Sequence, residues 1–298
     1  MSDTAIKANE DRVVLGMGLM LAAYLAFSGI DVTAKWLALA GIPALQLAFM
    51  RYVGHFVISM GIMGSGSTRF ATPHLWLVIL RGGLLCASTI LNFIALRYLP
   101  LTLTSTILFS APIIICALSW PLLGERVGVW RWLAIFVGFG GILISIRPFG
   151  DEVHWAVILS LSGAFCFAMY SILTRYLAGK VSTNSMQLYS GAVGTFVLLP
   201  FAIWQWTNPD TVANWIIMFG MGFFGWFGHQ LLTNAHRFAE ASTLTPFGYS
   251  FIIYLAVWSV LLFDHVPDAW NVVGAIIVVF AGLFIWARER RLHALRLG

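Results

Sequence analysis

Charged residues are scarce in this chain: of 298 residues only 10% are Asp, Glu, Lys or Arg, while 60% are hydrophobic. A soluble globule is usually roughly a quarter charged, so water is excluded as the solvent for most of the sequence. Cysteine is scarce too. Cys86, Cys116 and Cys166 all fall inside apolar runs with no metal-binding or redox spacing, which makes them small core residues. No glycine-rich nucleotide loop, metal-ligand set or nucleophile elbow is present, so ATP-driven pumping by this chain alone is excluded and no cofactor or metal is expected. The paired acid, base and nucleophile sets of an intramembrane enzyme are also lacking. The net charge of +5 collects at the borders of apolar runs and forms no aromatic-interleaved groove, which makes nucleic acid a poor partner.

What the chain has in abundance is apolar runs of the length that crosses a bilayer, about 20 residues as a helix. They cover 13–37, 43–63, 75–98, 101–122, 129–148, 154–178, 184–206, 213–237, 242–263 and 268–288. Barrel strands would alternate apolar and polar residues over ~10 positions, whereas these runs are unbroken and rich in Leu, Ala, Gly and Phe. An all-α membrane protein of ten transmembrane helices follows. Connections at 64–73, 148–152, 179–184 and 207–210 are short and marked by Gly, Pro, Ser or Asn, so no extramembrane domain is expected.

The runs come in two sets. Ala95-Leu96-Arg97-Tyr98 returns 140 positions later as Ala235-His236-Arg237-Phe238, Lys35-Trp36-Leu37-Ala38 returns as Arg175-Tyr176-Leu177-Ala178, and Trp130 falls on Trp270. The copies are 13–148 and 154–288, with tails at 1–12 and 289–298. The duplication also argues that the first run is retained rather than cleaved as a signal, because its counterpart at 154–178 is internal. Five spans per copy is odd, so the second copy enters the membrane from the opposite face. Such inverted repeats enclose a midplane cavity and exchange outward-open and inward-open states of similar energy. Lys and Arg are concentrated on one side, including Arg12, Arg69, Arg126, Lys180, Arg237 and Arg288 against Lys35, Arg97 and Arg147 on the other. By the positive-inside rule both tails are cytoplasmic.

Ionisable residues at membrane depth are costly and usually face an interior. Asp31 lies in the first run with Lys35 one turn away, where the two can pair. It is either part of a substrate path or protonation site, or an end anchor beside a snorkelling lysine. Arg51 and His55 are one turn apart in the second run. Arg51 is suited to a substrate carboxylate or to an interhelical lock; His55 is suited to the same path or to a core hydrogen bond. Ser88 and Asn92 share a face of the third run, and His229, Gln230, Thr233 and Asn234 cluster in the eighth. These are candidate cavity walls, or polar glue between helices. Tyr170, Trp226, Tyr249 and Tyr254 are candidates for stacking an aromatic or apolar cargo. Thr102, Thr104, Ser105 and Thr106 match Ser242, Thr243, Thr245 and Tyr249 as candidate gates.

The stretch from Leu101 to Ile146 carries a Thr/Ser-rich start, Pro112, Leu123-Gly124-Glu125-Arg126, an aromatic-rich entry and Gly138-Phe139-Gly140-Gly141. It resembles an EamA domain of the drug/metabolite transporter superfamily. The second half resembles the same domain in altered form, with Asp264 and His265 for the Gly-Glu pair and Ala281-Gly282 for the double glycine. The resemblance covers about Val13 to Arg288 and implies a ten-helix secondary transporter of a bacterial inner membrane. One branch of that family exports aromatic amino acids, which implies export of aromatic and other neutral amino acids, with the bilayer and protons as further partners. Asp31, Arg51, His55, Ser88, Asn92, Tyr170, His229, Gln230, Thr233 and Tyr249 are the expected cargo contacts. Uptake or exchange of S-adenosylmethionine or a nucleoside-like compound is the alternative within the family. An intramembrane enzyme or interaction subunit is the alternative of another class.

Overall fold

The computed structural model describes residues 3–64, 72, 74–111, 129–146, 154–177, 180–238 and 245–297, with scattered positions between 114 and 122. Among the described residues there are ten α-helices and no strand. They are α1 (Asp3–Leu39), α2 (Ala44–Gly64), α3 (Leu75–Tyr98), α4 (Leu101–Leu108), α5 (Val129–Ile146), α6 (Ala156–Leu177), α7 (Thr183–Trp204), α8 (Val212–Phe238), α9 (Ser250–Phe263) and α10 (Ala269–Leu297). A 3-10 turn, Thr245–Tyr249, leads into α9. Segments of α1, α2, α3, α6 and α7 are long and apolar enough to cross a membrane, and shorter apolar stretches occupy α5, α9 and α10. The outer surfaces of these helices expose Ile79, Phe136, Ile158, Phe196, Phe219, Ile253 and Phe280, an apolar coat that only lipid would tolerate.

The two repeats are interlocked. The most extensive packing pairs are α1 with α8, α5 with α10, α2 with α7, and α3 with α6, and every one of them joins a helix of one repeat to a helix of the other. Inversion maps α1–α8 onto α6–α3, and the secondary contact α2–α8 onto α7–α3, so the packing obeys the symmetry of the sequence. Glycines permit the closest crossings. A Cβ added to Gly54 on α2 would lie 2.7 Å from the Cα of Gly222 on α8, and one added to Gly82 on α3, the repeat partner of Gly222, would lie 3.2 Å from Ser190 Cα on α7. The α5–α10 crossing is equally tight, since a Cβ on Gly141 would lie 2.9 Å from the Gly274 carbonyl.

The sequence leads one to expect unbroken fourth and ninth spans, whereas the fourth is interrupted and the described part of the ninth opens in a 3-10 turn. Helix α4 stops at Leu108, and Phe109 and Ser110 form a turn. In sequence Pro112 follows Leu108 by four residues, and a proline there has no N–H to continue the helix. In the ninth span the 3-10 turn contains Pro246, and regular helix begins only at Ser250. The prolines are not repeat partners, yet the breaks coincide: Phe109 is the partner of Tyr249, and Ser110 of Ser250. The two breaks meet inside the bundle, where the Phe109 and Tyr249 rings lie 5.2 Å apart.

Helix ends are secured by long polar side chains. Lys35 Nζ donates to the carbonyls of Leu99 at 2.8 Å and Leu96 at 3.2 Å, capping the bare C-terminus of α3. Lys35 therefore does not pair with Asp31, as spacing along α1 had suggested. Buried Gln46 clasps the α7–α8 connection from both sides, donating to Thr207 O and accepting from Thr207 N at 2.8 Å each. At the end of α9, Asp264 closes the helix with φ 48°. That left-handed conformation suits glycine and is tolerated by Asp; the first repeat has Gly124 at this position.

Replacing Gly54 by Leu should lower stability by about 1–3 kcal/mol through overpacking, whereas Gly83→Ala, whose Cβ meets nothing within 4 Å, should not destabilise. Thermal unfolding of the purified variants in detergent separates the two.

Candidate functional site

A buried carboxylate and a buried guanidinium are held by neighbouring turns of α3. Asn92 Nδ2 donates to Asp31 Oδ1 at 3.1 Å, and Arg51 Nη1 donates to Thr89 Oγ1 at 2.6 Å. Thr89 and Asn92 are three residues apart on one helix, neighbouring positions about 5–6 Å apart at their Cβ atoms. Asp31 from α1 and Arg51 from α2 are thus brought to neighbouring positions along α3. They do not close an ion pair with one another. Tyr52 steadies the arrangement, its hydroxyl 2.9 Å from Thr89 Oγ1 and its ring 5.0 Å from the Arg51 guanidinium. Arg51 is only 6% exposed, and its Nε has no hydrogen-bond partner. Gly225 on α8 lies alongside, its added Cβ 3.5 Å from that Nε, so the absence of a side chain keeps the space beside it open.

Not anticipated from the sequence is Arg81 on α3, which is 2% exposed. Its Nε donates to Thr174 Oγ1 at 2.7 Å, Nη1 to Ser190 Oγ at 2.9 Å and to Met186 O at 3.2 Å, and Nη2 to Tyr170 Oη at 2.7 Å. The guanidinium also lies 4.4 Å from the centre of the Tyr170 ring. Every partner is neutral. Arg81 is therefore a fixed cation that ties α3 to α6 and α7, with most of its donors committed to protein. The available signal was its place well inside an apolar run, opposite Met221 in the second repeat. Arg51 and Arg81 together outnumber Asp31, so the interior is basic.

Between these cations stand two histidines. His55 and His229 are buried, with ring centres 5.9 Å apart, and both guanidiniums act electrostatically on both rings. Phe27 lies 4.9 Å from His229 and Tyr170 6.5 Å. Of the expected cargo contacts, Asp31, Asn92, Arg51, His55, His229 and Tyr170 thus belong to one interior. Ser88 is turned away from it, donating to the Gly163 carbonyl of α6 at 2.9 Å, a helix-to-helix bond. Gln230 lines a separate crevice with Ser59, Gln187 and Trp226. Tyr249 is packed at the helix breaks, and the Thr233 side chain lies outside the described residues.

Three of the expected gates are not free hydroxyls, while Thr102 Oγ1 is buried with no hydrogen-bond partner. Thr104, Ser105 and Thr106 bond back to carbonyls of their own helix at Leu101, Thr102 and Thr102, each at 2.9 Å. Ser242, Thr243, Pro112 and the Leu123-Gly124-Glu125-Arg126 stretch lie outside the described residues. A cavity of about 830 Å³ opens at the end of the bundle where α1, α3 and α9 finish and α8 begins, lined by Lys35, Trp36, Tyr98, Asn214, Phe263 and Asp264 among others. Asp31 lies one helical turn below Lys35, so the charged pair sits beneath the cavity floor. The cavity is drawn from both repeats.

The interlocked inverted halves with a polar interior now have a name to match. The model of the EamA-like transporter family fits residues 14–147 and again 154–287. The chain belongs to the EamA-like transporter family. Among curated proteins, this EamA-like chain is 27% identical to an S-adenosylmethionine uptake transporter of Rickettsia bellii, covering 93% of this chain and 95% of that one. It is 28% identical to a riboflavin transporter of Vibrio cholerae over 91% and 93% of the two chains. A pseudopaline exporter of Pseudomonas aeruginosa is 27% identical over 91% and 95%. One solved crystal structure covers 91% of this chain and 98% of its own with a TM-score of 0.63 at 18% identity, a likeness of fold. A small-molecule transporter set in a bilayer is thereby established as the class.

Tyr170→Phe should remove a charge-assisted hydrogen bond from Arg81 and cost about 1.5–3 kcal/mol, lowering the thermal midpoint of the purified protein. Ser88→Ala, which breaks only one neutral bond, should cost less in the same measurement.

Proposed function

We propose that this EamA-like transporter moves metabolites carrying an α-amino-acid head group across a bacterial inner membrane by alternating access, with both termini cytoplasmic. The observation that carries the reading is the pairing of Asp31 and Arg51 on adjacent turns of α3. They are close enough to share a small zwitterion, yet each is held by a neutral residue rather than by the other. A head group entering that gap places its ammonium on Asp31 and its carboxylate on Arg51, whose Nε has a donor to spare. Only a cargo charged in both senses satisfies both sides. His55 and His229 stand next along the interior and supply the remaining contacts or a proton route.

Export of aromatic and other neutral amino acids is the simplest cargo assignment, and the aromatic walls at Phe27, Tyr52 and Tyr170 support it. Uptake of S-adenosylmethionine is the second reading. It is favoured by the Rickettsia relative of that name, and such a cargo presents the same zwitterionic head.

Proteoliposomes containing the purified chain should accumulate labelled compounds from a mixed pool of amino acids and S-adenosylmethionine faster than empty vesicles; no difference for any of them defeats the reading. Arg51→Gln should slow the best substrate at least about tenfold, the loss of one charge-assisted bond. Asp31→Asn should flatten the dependence of rate on pH if Asp31 exchanges a proton during the cycle, and an unchanged profile removes it from that role.

A further inference from the structure

The crevice on the far side of the histidines has no role in holding a head group. It lies between the second half of α2, the start of α7 and the second half of α8, and is lined by Ser59, Ile62, Asn184, Gln187, Trp226 and Gln230. It is a narrow cleft, too tight in this state for a water molecule. Three of its polar atoms are buried without a hydrogen-bond partner: Ser59 Oγ, Gln187 Oε1 and Trp226 Nε1. Ser59 is 5% exposed and Gln187 3%. Polar side chains that serve as glue between membrane helices are bonded to one another. These are not. They comprise a donor, an acceptor and a hydroxyl able to do either, and none of them is charged.

The crevice is also in line with the charged pair. Arg51, His55 and Ser59 recur every four residues and so share one face of α2, and Gln187 reaches His55 with its side chain. Eight residues separate Arg51 from Ser59, which at 1.5 Å per residue is about 12 Å of helix. A free amino acid with an aromatic side chain falls short of that span. In the other repeat the partners of Ser59, Gln187 and Trp226 are Leu199, Leu47 and Cys86, so this polar set exists in one half only. Repeat symmetry does not require it.

We propose that the crevice is the distal part of the cargo site and takes an uncharged group offering both donors and acceptors, of the amide or nitrogen-heterocycle class. The cargo is then an extended amino-acid conjugate of about 12 Å rather than a free amino acid. The inference rests on the head-group reading given above. Binding requires the crevice to widen, and the three waiting atoms gain partners when it does.

Titration calorimetry on the full chain in detergent tests this with methionine, adenosine and S-adenosylhomocysteine, which joins both parts in one molecule. The conjugate should bind at least about tenfold more tightly than either part. Trp226→Phe, which removes only the unpartnered Nε1 donor, should weaken the conjugate several-fold and leave methionine itself unchanged, which also shows that the variant is folded. Arg51→Gln should weaken methionine and the conjugate together. The distal-site proposal is overturned if methionine binds as tightly as the conjugate, or if Trp226→Phe weakens both equally. Adenosine equal to the conjugate, with no effect of Arg51→Gln, would instead overturn the head-group reading, and absence of binding by all three would overturn both.

Discussion

A polar group inside a bilayer has no water to bond with, so it must find a partner in the protein or in a cargo. That constraint sorts the interior of this transporter into two kinds of residue. Arg81 belongs to the first: four hydrogen bonds to neutral oxygens on α6 and α7 hold its charge in place. Lys35 and Gln46 belong there as well, one capping α3 and the other clasping Thr207. Arg51 Nε, Ser59 Oγ, Gln187 Oε1 and Trp226 Nε1 belong to the second kind. Their positions follow one path from the charged pair to the crevice, which is why they are read as a site and not as scattered flaws in packing.

The same constraint limits where the backbone may depart from a helix. Irregular main chain at membrane depth is tolerated when buried in protein, and the two breaks, at Phe109 and at Tyr249, satisfy that by packing on each other. A different proline stands near each. In sequence Pro112 follows its break, while Pro246 sits within the 3-10 turn before its own. Two sequences have thus reached the same interruption by different routes, and the coincidence of breaks at partner positions indicates that the interruption itself is what both repeats retain. In the proposed cycle the interlocked halves would rearrange, and a pair of softened points inside the bundle is where that would cost least.

Much of this was legible in the residues, and the remainder was not for definite reasons. Apolar run length and the 140-residue echo disclose ten helices and their inversion, because lipid permits few alternatives. Asp31, Arg51 and His55 stand out as ionisable groups in apolar runs that break the repeat. Arg81 carries the same signals, but its importance lies in four partners spread over two other helices, which no local spacing displays. Lys35 misleads in the opposite sense. It stands one turn from Asp31, and sequence spacing pairs them; the unbonded carbonyls at the end of α3 compete for its ammonium and win. Ser59 and Gln187 are unremarkable polar residues until the fold shows that Ser59 Oγ and Gln187 Oε1 are buried without a partner.

Symmetry then bears on how the proposed cycle would run. The lining of the large cavity at Lys35 and Tyr98 has its repeat partners at Arg175 and Phe238, near the ends of α6 and α8, which inversion places at the opposite end of the bundle. Exchange of conformations between the halves would close the present cavity and open one there. The crevice lies at that end, so widening it is part of the same exchange and not a separate motion. A cargo whose head has settled between Asp31 and Arg51 gains the distal bonds only as the far end opens. Binding energy realised in this way favours the state that releases the cargo on the other side, because a ligand shifts a conformational equilibrium only by its difference in affinity for the two states. A compound with the head group alone would bind yet have less leverage on that equilibrium, and length of cargo would set rate as well as affinity.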